Sequence, residues 1–291
     1  MSTSVISPND EAIRAWDGPL FERFVEFREE VVTSLNRHGV EALRLHPPAV
    51  GDRVLDIGCG FGDATQQIAA LVGPEGEAVG LDVSPRFIEA SRAEAAGVAN
   101  ARFVVADLQT ESDLGGPYDA AFSRFGTMFF ANPVVALRNV AGALKPGGRL
   151  TMVVWRRKLD NDWMYRGEQI VKAFVGDKPE DSDEPTCGPG PFSMANADTV
   201  CDVLDHAGFE AITLRRLDLP MIFPNLDRAV ALVMALGPGG EVLRLLGDRA
   251  DAARPEIDRK LREGLAEFTQ PDGRVFGPSS TWVVSATAAG S

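Results

Sequence analysis

The chain has 291 residues, 45% of them hydrophobic, and 29 Lys and Arg against 42 Asp and Glu leave a formal net charge of −13. That length can bury a substantial core in one large domain. So acidic a balance argues against nucleic acid as a partner, because neutralising phosphates with Lys and Arg supplies most of that affinity. The cysteines, Cys59, Cys187 and Cys201, form no C-x-x-C pair. This gives no disulfide framework and no structural zinc site, and it fits a reducing compartment. The longest apolar runs, such as 229–237, are too short to span a bilayer, and the first residues lack a basic start followed by an apolar core. A cytoplasmic protein with no membrane partner and no bound metal is expected, with self-association as a homodimer left open.

Residues 1–46 read as amphipathic helices, with Phe21, Phe24, Val25 and Val32 at mixed three- and four-residue spacings. From about 53 to 155, short β-rich runs alternate with helical segments, the pattern of a parallel sheet with crossover helices. Strands are expected at 53–57, 77–83, 101–106, 118–123 and 149–155, and helices at 64–72, 86–96 and 134–144. The last helix is closed by Lys145-Pro146-Gly147-Gly148. Residues 177–191, rich in Pro, Gly and carboxylates, read as an exposed flap. Residues 225–270 read as helices whose stripe of Ile257, Leu261, Leu265 and Phe268 is better explained as core than as a binding surface.

The most informative stretch is VLDIGCGFG at 54–62. An apolar strand runs through Asp56 into Gly58, Gly60 and Gly62, which let the backbone turn sharply and approach a ligand. The helix that follows points its N-terminus at whatever lies in the turn. A dinucleotide fingerprint places glycines as G-x-G-x-x-G/A around a pyrophosphate. Here Asp63 stands at the third position and Asp56 just before the loop. Two carboxylates repel a pyrophosphate and suit a cofactor carrying positive charge.

These residues resemble the glycine-rich motif of class I S-adenosylmethionine-dependent methyltransferases, and further segments resemble that family's other motifs in order. GLDVS at 80–84 places Asp82, with Val83 beside it, where the family's acidic residue holds the ribose hydroxyls. FVVADLQ at 103–109 places Asp107 toward the adenine amino group and Leu108 beside the ring. YDAAFSRFGTMFF at 118–130 and LKPGGRL at 144–150 resemble the fourth-strand motif and the turn before strand five. SRFG-x-MFF, the Trp-Arg tail of strand five and an early W-x-G-P are similar to the small-molecule branch often called ubiquinone/menaquinone-biosynthesis-like. The resemblance implies an α/β fold: a Rossmann-like, seven-stranded, mostly parallel sheet with helices on both faces and helical cap insertions. Strands near 211–217 and 280–287 would complete that sheet. It further implies an N-terminal helical cap at 1–46 and a methyltransferase domain at 47–291. That domain divides into a cofactor-binding core at 47–155, a flap at 156–191 and a helical lid at 225–270 between the last two strands.

In an open α/β sheet, ligands bind beyond the carboxyl ends of the strands. That rule together with the family motifs assigns the cofactor site to Trp16, Asp56, Gly58, Cys59, Gly60, Asp82, Val83, Asp107, Leu108, Ser123 and Arg124. Cys59 is most simply a small buried side chain, and Asp107 could equally cap a turn. Arg124, flanked by apolar residues, needs a partner: Asp56, the cofactor carboxylate or an anionic group of the substrate. Phe129, Trp155, Asn161 and Trp163 are the candidate walls of the substrate pocket, with ordinary packing as the other reading for the aromatics. His38 reads as a helix-end cation, His46 as a turn residue and His206 as a residue near a helix end behind the sheet, so no general base is identified. The expected activity is methyl transfer from S-adenosylmethionine, with S-adenosylhomocysteine as product, to an oxygen, nitrogen or carbon of a small, partly apolar molecule. An NAD-dependent oxidoreductase and a non-catalytic S-adenosylmethionine sensor are the alternatives.

Overall fold

A computed structural model describes residues 9–174, 189–246 and 248–290. Seven strands form one sheet in the order β3-β2-β1-β4-β5-β9-β6. They are β1 (Arg53–Ile57), β2 (Glu77–Asp82), β3 (Ala101–Val105), β4 (Tyr118–Arg124), β5 (Leu144–Trp155), β6 (Phe209–Asp218) and β9 (Ser280–Ala288). β1 to β5 run parallel, while β9 pairs antiparallel with both β5 and β6. The central strands are covered on both faces, so Val54, Leu55, Ile57, Leu150, Met152, Val153 and Val154 are all buried. This is why they read as continuous apolar runs rather than as alternating ones.

The chain leaves β1 toward β2 and β3 on one side and returns to β4 and β5 on the other. The order therefore reverses between β1 and β4, which opens a crevice above their carboxyl ends. Helices α4 (Asp63–Val72), α5 (Pro85–Glu94) and α6 (Pro133–Ala143) make the crossovers. Two begin in textual order with a side-chain cap followed by proline: Ser84 accepts from Phe87 N–H before Pro85, and Asn132 accepts from Val135 N–H before Pro133.

At the N-terminus, α1 (Asp10–Ala15), a π-helical turn over Trp16–Leu20, α2 (Phe21–Glu26) and α3 (Arg28–Leu45) confirm the helical reading from residue 9 onward. Val25, placed in the apolar set by its spacing, is instead exposed. Past β5, residues 162–172 form α7 (Asp162–Lys172) inside the segment expected as a flap, and α8 (Ala197–Ala207) precedes β6. The rest of that expected flap, 175–188, together with Cys187, lies outside the described residues.

The expected helices of 225–270 are α9 (Leu226–Ala235), α10 (Gly237–Leu246) and α11 (Asp248–Leu265). Ile257, Leu261 and Leu265 are buried, as the core reading of that stripe requires. The insertion enters and leaves through a ribbon that was not foreseen: β7 (Met221–Phe223) pairs antiparallel with β8 (Val275–Gly277). Three-residue strands are too short to show alternation in sequence. A smaller correction concerns Leu144. It was expected to end a helix, yet it pairs with Tyr118 at the start of β5, just before a register shift.

Candidate active site

The glycine loop joins β1 to α4 at the crevice. Gly60 and Gly62 have φ of 55° and 80°, a region that side chains with a Cβ rarely enter. A Cβ on Gly62 would lie 2.7 Å from the Phe103 ring, whereas one on Gly60 would meet no protein atom within 4 Å. Gly62 thus serves packing, and Gly60 leaves the backbone bare toward open space.

Three carboxylates surround the loop. Asp56 is buried and accepts a hydrogen bond of 2.6 Å from the Thr65 hydroxyl. Burial raises its pKa to about 6, with the Asp82 and Asp63 charges pushing the same way and the Thr65 bond and Arg124 opposing. Asp82 accepts from the Gly60 N–H and the Ser84 N–H, each at 3.0 Å, and so ties the loop to the start of α5. Its pKa is also raised, by burial first, against those backbone N–H groups. Asp63 opens α4, and its Oδ2 is buried without a hydrogen bond.

Arg124, at the end of β4, finds its carboxylate partner in Asp63, at 3.9 Å, rather than in Asp56. Its Nη1 also reaches Asn36 Oδ1 at 3.4 Å. Burial lowers its pKa, and Asp63 and Asp56 oppose that. Arg28 from α3 lies 3.8 Å from the other oxygen of Asp63 and pairs with Glu94. Negative charge therefore gathers at the loop, with guanidinium groups only on its α3 side.

Several expected residues are occupied within the fold. Cys59 packs against Phe103 and Ile88, and burial pushes its thiol well above the usual range, so its side chain lies behind the loop. The Ser123 hydroxyl donates to the Ile57 carbonyl at 2.9 Å, locking β4 to β1. Leu108 is buried in the main core. Asp107 accepts from Gln109 N–H in a local turn and from Asn9 Nδ2, both at 3.0 Å. Val83 is half-buried just past β2.

Asn161 requires a correction. It is wholly buried, its amide donates to the Arg156, Arg157 and Ser280 carbonyls, and its oxygen accepts from Ser280 N–H. Its amide donors are all engaged within the fold and none is left for a substrate; Asn161 clips the end of β5 to β9. Sequence position after a strand could not reveal this, since both partners of the clip lie 119 residues apart.

The aromatic residues form two groups. Trp16 meets Phe129 edge-on at 4.8 Å and Phe24 at 5.6 Å, and Phe87 links this set to Phe61 of the glycine loop at 5.0 Å. The N-terminal segment is thereby laid over the loop. Asp17, unremarked in the sequence, fastens it: its carboxylate accepts from the Ser84 hydroxyl at 2.7 Å and from Arg86 N–H at 2.9 Å. In the second group, Phe125 stacks on Trp155 at 4.4 Å, and His38 stands edge-on to both. Phe125 has a φ of 61°, rare for a bulky residue and most often retained beside functional sites. Trp163 is buried against Phe223 at 5.4 Å, and its Nε1 has no partner.

His38 departs most from expectation. It lies mid-way along α3, not at a helix end, and it is fully buried. Burial lowers its pKa to about 4, so it is neutral rather than cationic. Its signal was available: Val31, Ser34, His38 and Ala42 recur at three- and four-residue intervals along one face of α3, and all are buried. A cavity of about 110 Å³ bounded by His46, Arg149 and Thr287 lies near the opposite ends of the strands, remote from all these residues.

Comparison with known proteins meets this geometry on the same segment: the family model described as a methyltransferase domain matches residues 54–148. Over this stretch the chain resembles methyltransferases. The aklanonic acid methyltransferase DauC of Streptomyces sp. (strain C5) is 34% identical to this chain over 123 residues, 42% of this chain and 54% of that protein. The ubiquinone/menaquinone biosynthesis C-methyltransferase UbiE of Ectopseudomonas mendocina is 38% identical over 106 residues, 35% of this chain and 41% of that protein. The matches thus span about half the length of these curated relatives. Among solved structures, the YcgJ protein of Bacillus subtilis aligns with a TM-score of 0.55 at 17% identity, covering 89% of this chain and 99% of that one. This likeness extends the fold, though not the activity, beyond the matched residues.

Proposed function

We propose that the protein transfers a methyl group from S-adenosylmethionine to a small, partly apolar acceptor and releases S-adenosylhomocysteine. The observation that carries this reading is the set of carboxylates Asp56, Asp63 and Asp82 around a glycine loop whose Gly60 faces open space. A cationic sulfonium and ammonium are favoured there, whereas a pyrophosphate is repelled. This weighs against the oxidoreductase alternative. Asp63 Oδ2, buried with only the distant Arg124 guanidinium at 3.9 Å and no hydrogen bond, supports the fit, since a buried acceptor without a donor is costly.

When bound, the cofactor supplies an electrophilic methyl group. In this reading, the chain's own contribution is placement and exclusion of water. By its resemblance to the family, Asp82 holds ribose hydroxyls and Asp107 the adenine amine, with Asn9 already on one oxygen of Asp107. Trp16 and the N-terminal helices close over the loop, and α9 to α11 form a lid on the ribbon of β7 and β8. The acceptor lies toward Phe129, Trp155 and Trp163. The small-molecule activities in the relatives' names and the charge of −13 support a small acceptor over nucleic acid.

S-adenosylhomocysteine at a hundredfold excess over its Kd should stabilise the protein by about 2.7 kcal/mol, while NADH should produce no shift. Thermal unfolding reads both. A shift with NADH alone would sink the reading. Production of S-adenosylhomocysteine with a panel of phenols, carboxylic acids and amines distinguishes transfer from mere sensing: a protein that binds but never turns over is a sensor.

A further inference from the structure

His38 has no part in the cofactor site, yet its surroundings are those of a working group. The inference drawn from it rests on the methyl-transfer reading above. Its Nδ1 lies 3.2 Å from the Ser34 carbonyl, while its Nε2 is buried without a hydrogen bond. A neutral imidazole carries one N–H; the Ser34 carbonyl at Nδ1 holds it there in competition with the Leu219 carbonyl that also faces the ring, and that tautomer leaves Nε2 a lone pair. The ring stands 5.7 Å from Phe125 and 5.8 Å from Trp155, which stack on each other past the carboxyl ends of β4 and β5. Thr127 Oγ1, two residues beyond Phe125, and Trp163 Nε1 are likewise buried and unpaired. Polar atoms without partners are rare in folded interiors, because each keeps the cost of leaving water with no bond to offset it. Thr127 and Trp163 belong to the segments that follow β4 and β5, at whose ends His38 packs, and the three atoms call for a ligand that supplies the missing donors and acceptors.

We propose that His38 Nε2 is the catalytic base, taking the proton of an aromatic acceptor's hydroxyl, so that the protein methylates a phenol or enol on oxygen. The Phe125 and Trp155 rings give the acceptor ring an apolar stacking surface. The charges facing His38 are Arg37 on its own helix and Arg124 from β4. Both disfavour an ammonium acceptor and favour a developing phenolate. They also join burial in keeping His38 neutral, while the Ser34 and Leu219 carbonyls act in the opposite sense; Leu219 is already bonded to the Ser279 hydroxyl. An imidazole this weakly basic does not ionise a phenol of pKa about 10 beforehand. The proton moves as the acceptor oxygen forms its bond to the methyl carbon, which makes the O–H strongly acidic. The electrons of the broken S–C bond stay on sulfur, the O–H pair stays on oxygen, and the proton passes from Nε2 to solvent after product leaves.

Nitrogen-15 histidine spectra of the S-adenosylhomocysteine complex test this on the intact protein, with 2-naphthol and catechol as probes. His38 should appear as the Nδ1–H tautomer, and a probe should move its Nε2 signal toward the protonated range while His46 and His206 stay fixed. With S-adenosylmethionine and the same phenols, His38→Gln should lower kcat/KM about 100-fold or more, the scale of a lost general base, with S-adenosylhomocysteine affinity retained. An Nε2–H tautomer, an Nε2 signal that neither phenol moves, or full turnover by His38→Gln would overturn the proposal and leave the cofactor reading standing. Failure of S-adenosylhomocysteine to bind the wild-type protein would instead remove the reading on which it rests.

Discussion

Asp56 shows how one buried residue couples stability to function. Its folded pKa of about 6 lies above its ordinary value of 3.8, so the native state holds its proton more tightly than the unfolded chain. The contribution is full below about pH 4 and is lost as pH rises through 6. By pH 7 the charged form costs about 3 kcal/mol relative to acid. Asp56→Asn is therefore expected to be more stable than wild type at pH 7 and no more stable at pH 4. Urea titrations of both proteins across that range check the sign. The same substitution should weaken S-adenosylmethionine, because a cationic ligand favours ionised Asp56. In the wild type, binding near pH 5 should release protons, measurable by calorimetry in buffers of different ionisation enthalpy.

At the scale of elements, the N-terminal segment is fastened where the π-helical turn meets the start of α5. Asp17 adds a carboxylate to a helix N-terminus and accepts two hydrogen bonds there, an arrangement favoured by the helix dipole. Arg86 returns the contact to Glu22 at 2.7 Å. Asp17→Ala should cost about 1–3 kcal/mol and should loosen Trp16 from Phe129. Limited proteolysis is expected to cut the variant within its first 20 residues faster than wild type, and the cofactor's dissociation rate should rise. Equal cleavage and equal dissociation would show that the segment is held by its aromatic contacts alone.

For the whole molecule, α3 is the joint between sheet, N-terminal segment and helical insertion. Ser34 exchanges hydrogen bonds with both backbone groups of Ile222 in β7, and Glu30 pairs with Arg228 of α9. A chain lacking residues 1–20 keeps α3 and all of these contacts, so it should unfold cooperatively. It should nevertheless lose methyl transfer and bind S-adenosylhomocysteine at least about tenfold more weakly, because removing Trp16 and Asp17 opens the loop to water. Denaturant unfolding followed by calorimetry measures both, and normal turnover by the truncated protein would reduce the segment to packing.

The sequence by itself determined the sheet and the glycine loop. Both are local: the central parallel strands are short apolar runs buried on two faces, and Gly58 to Gly62 with Asp56 and Asp82 occupy fixed offsets from β1 and β2. Only the tertiary structure decided what the polar residues beyond the strands do. Asn161 and Ser123 looked like site residues by position, yet their partners, Ser280 and Ile57, come from distant strands. His38 looked like a helix-end cation because it stands in Asn36-Arg37-His38-Gly39. Its neutrality comes from burial, to which Phe125 and Trp155, more than eighty positions away, contribute by packing against it. Backbone periodicity is written in neighbouring residues, whereas protonation state and hydrogen-bond capacity depend on what the fold brings near, which no short window of sequence contains.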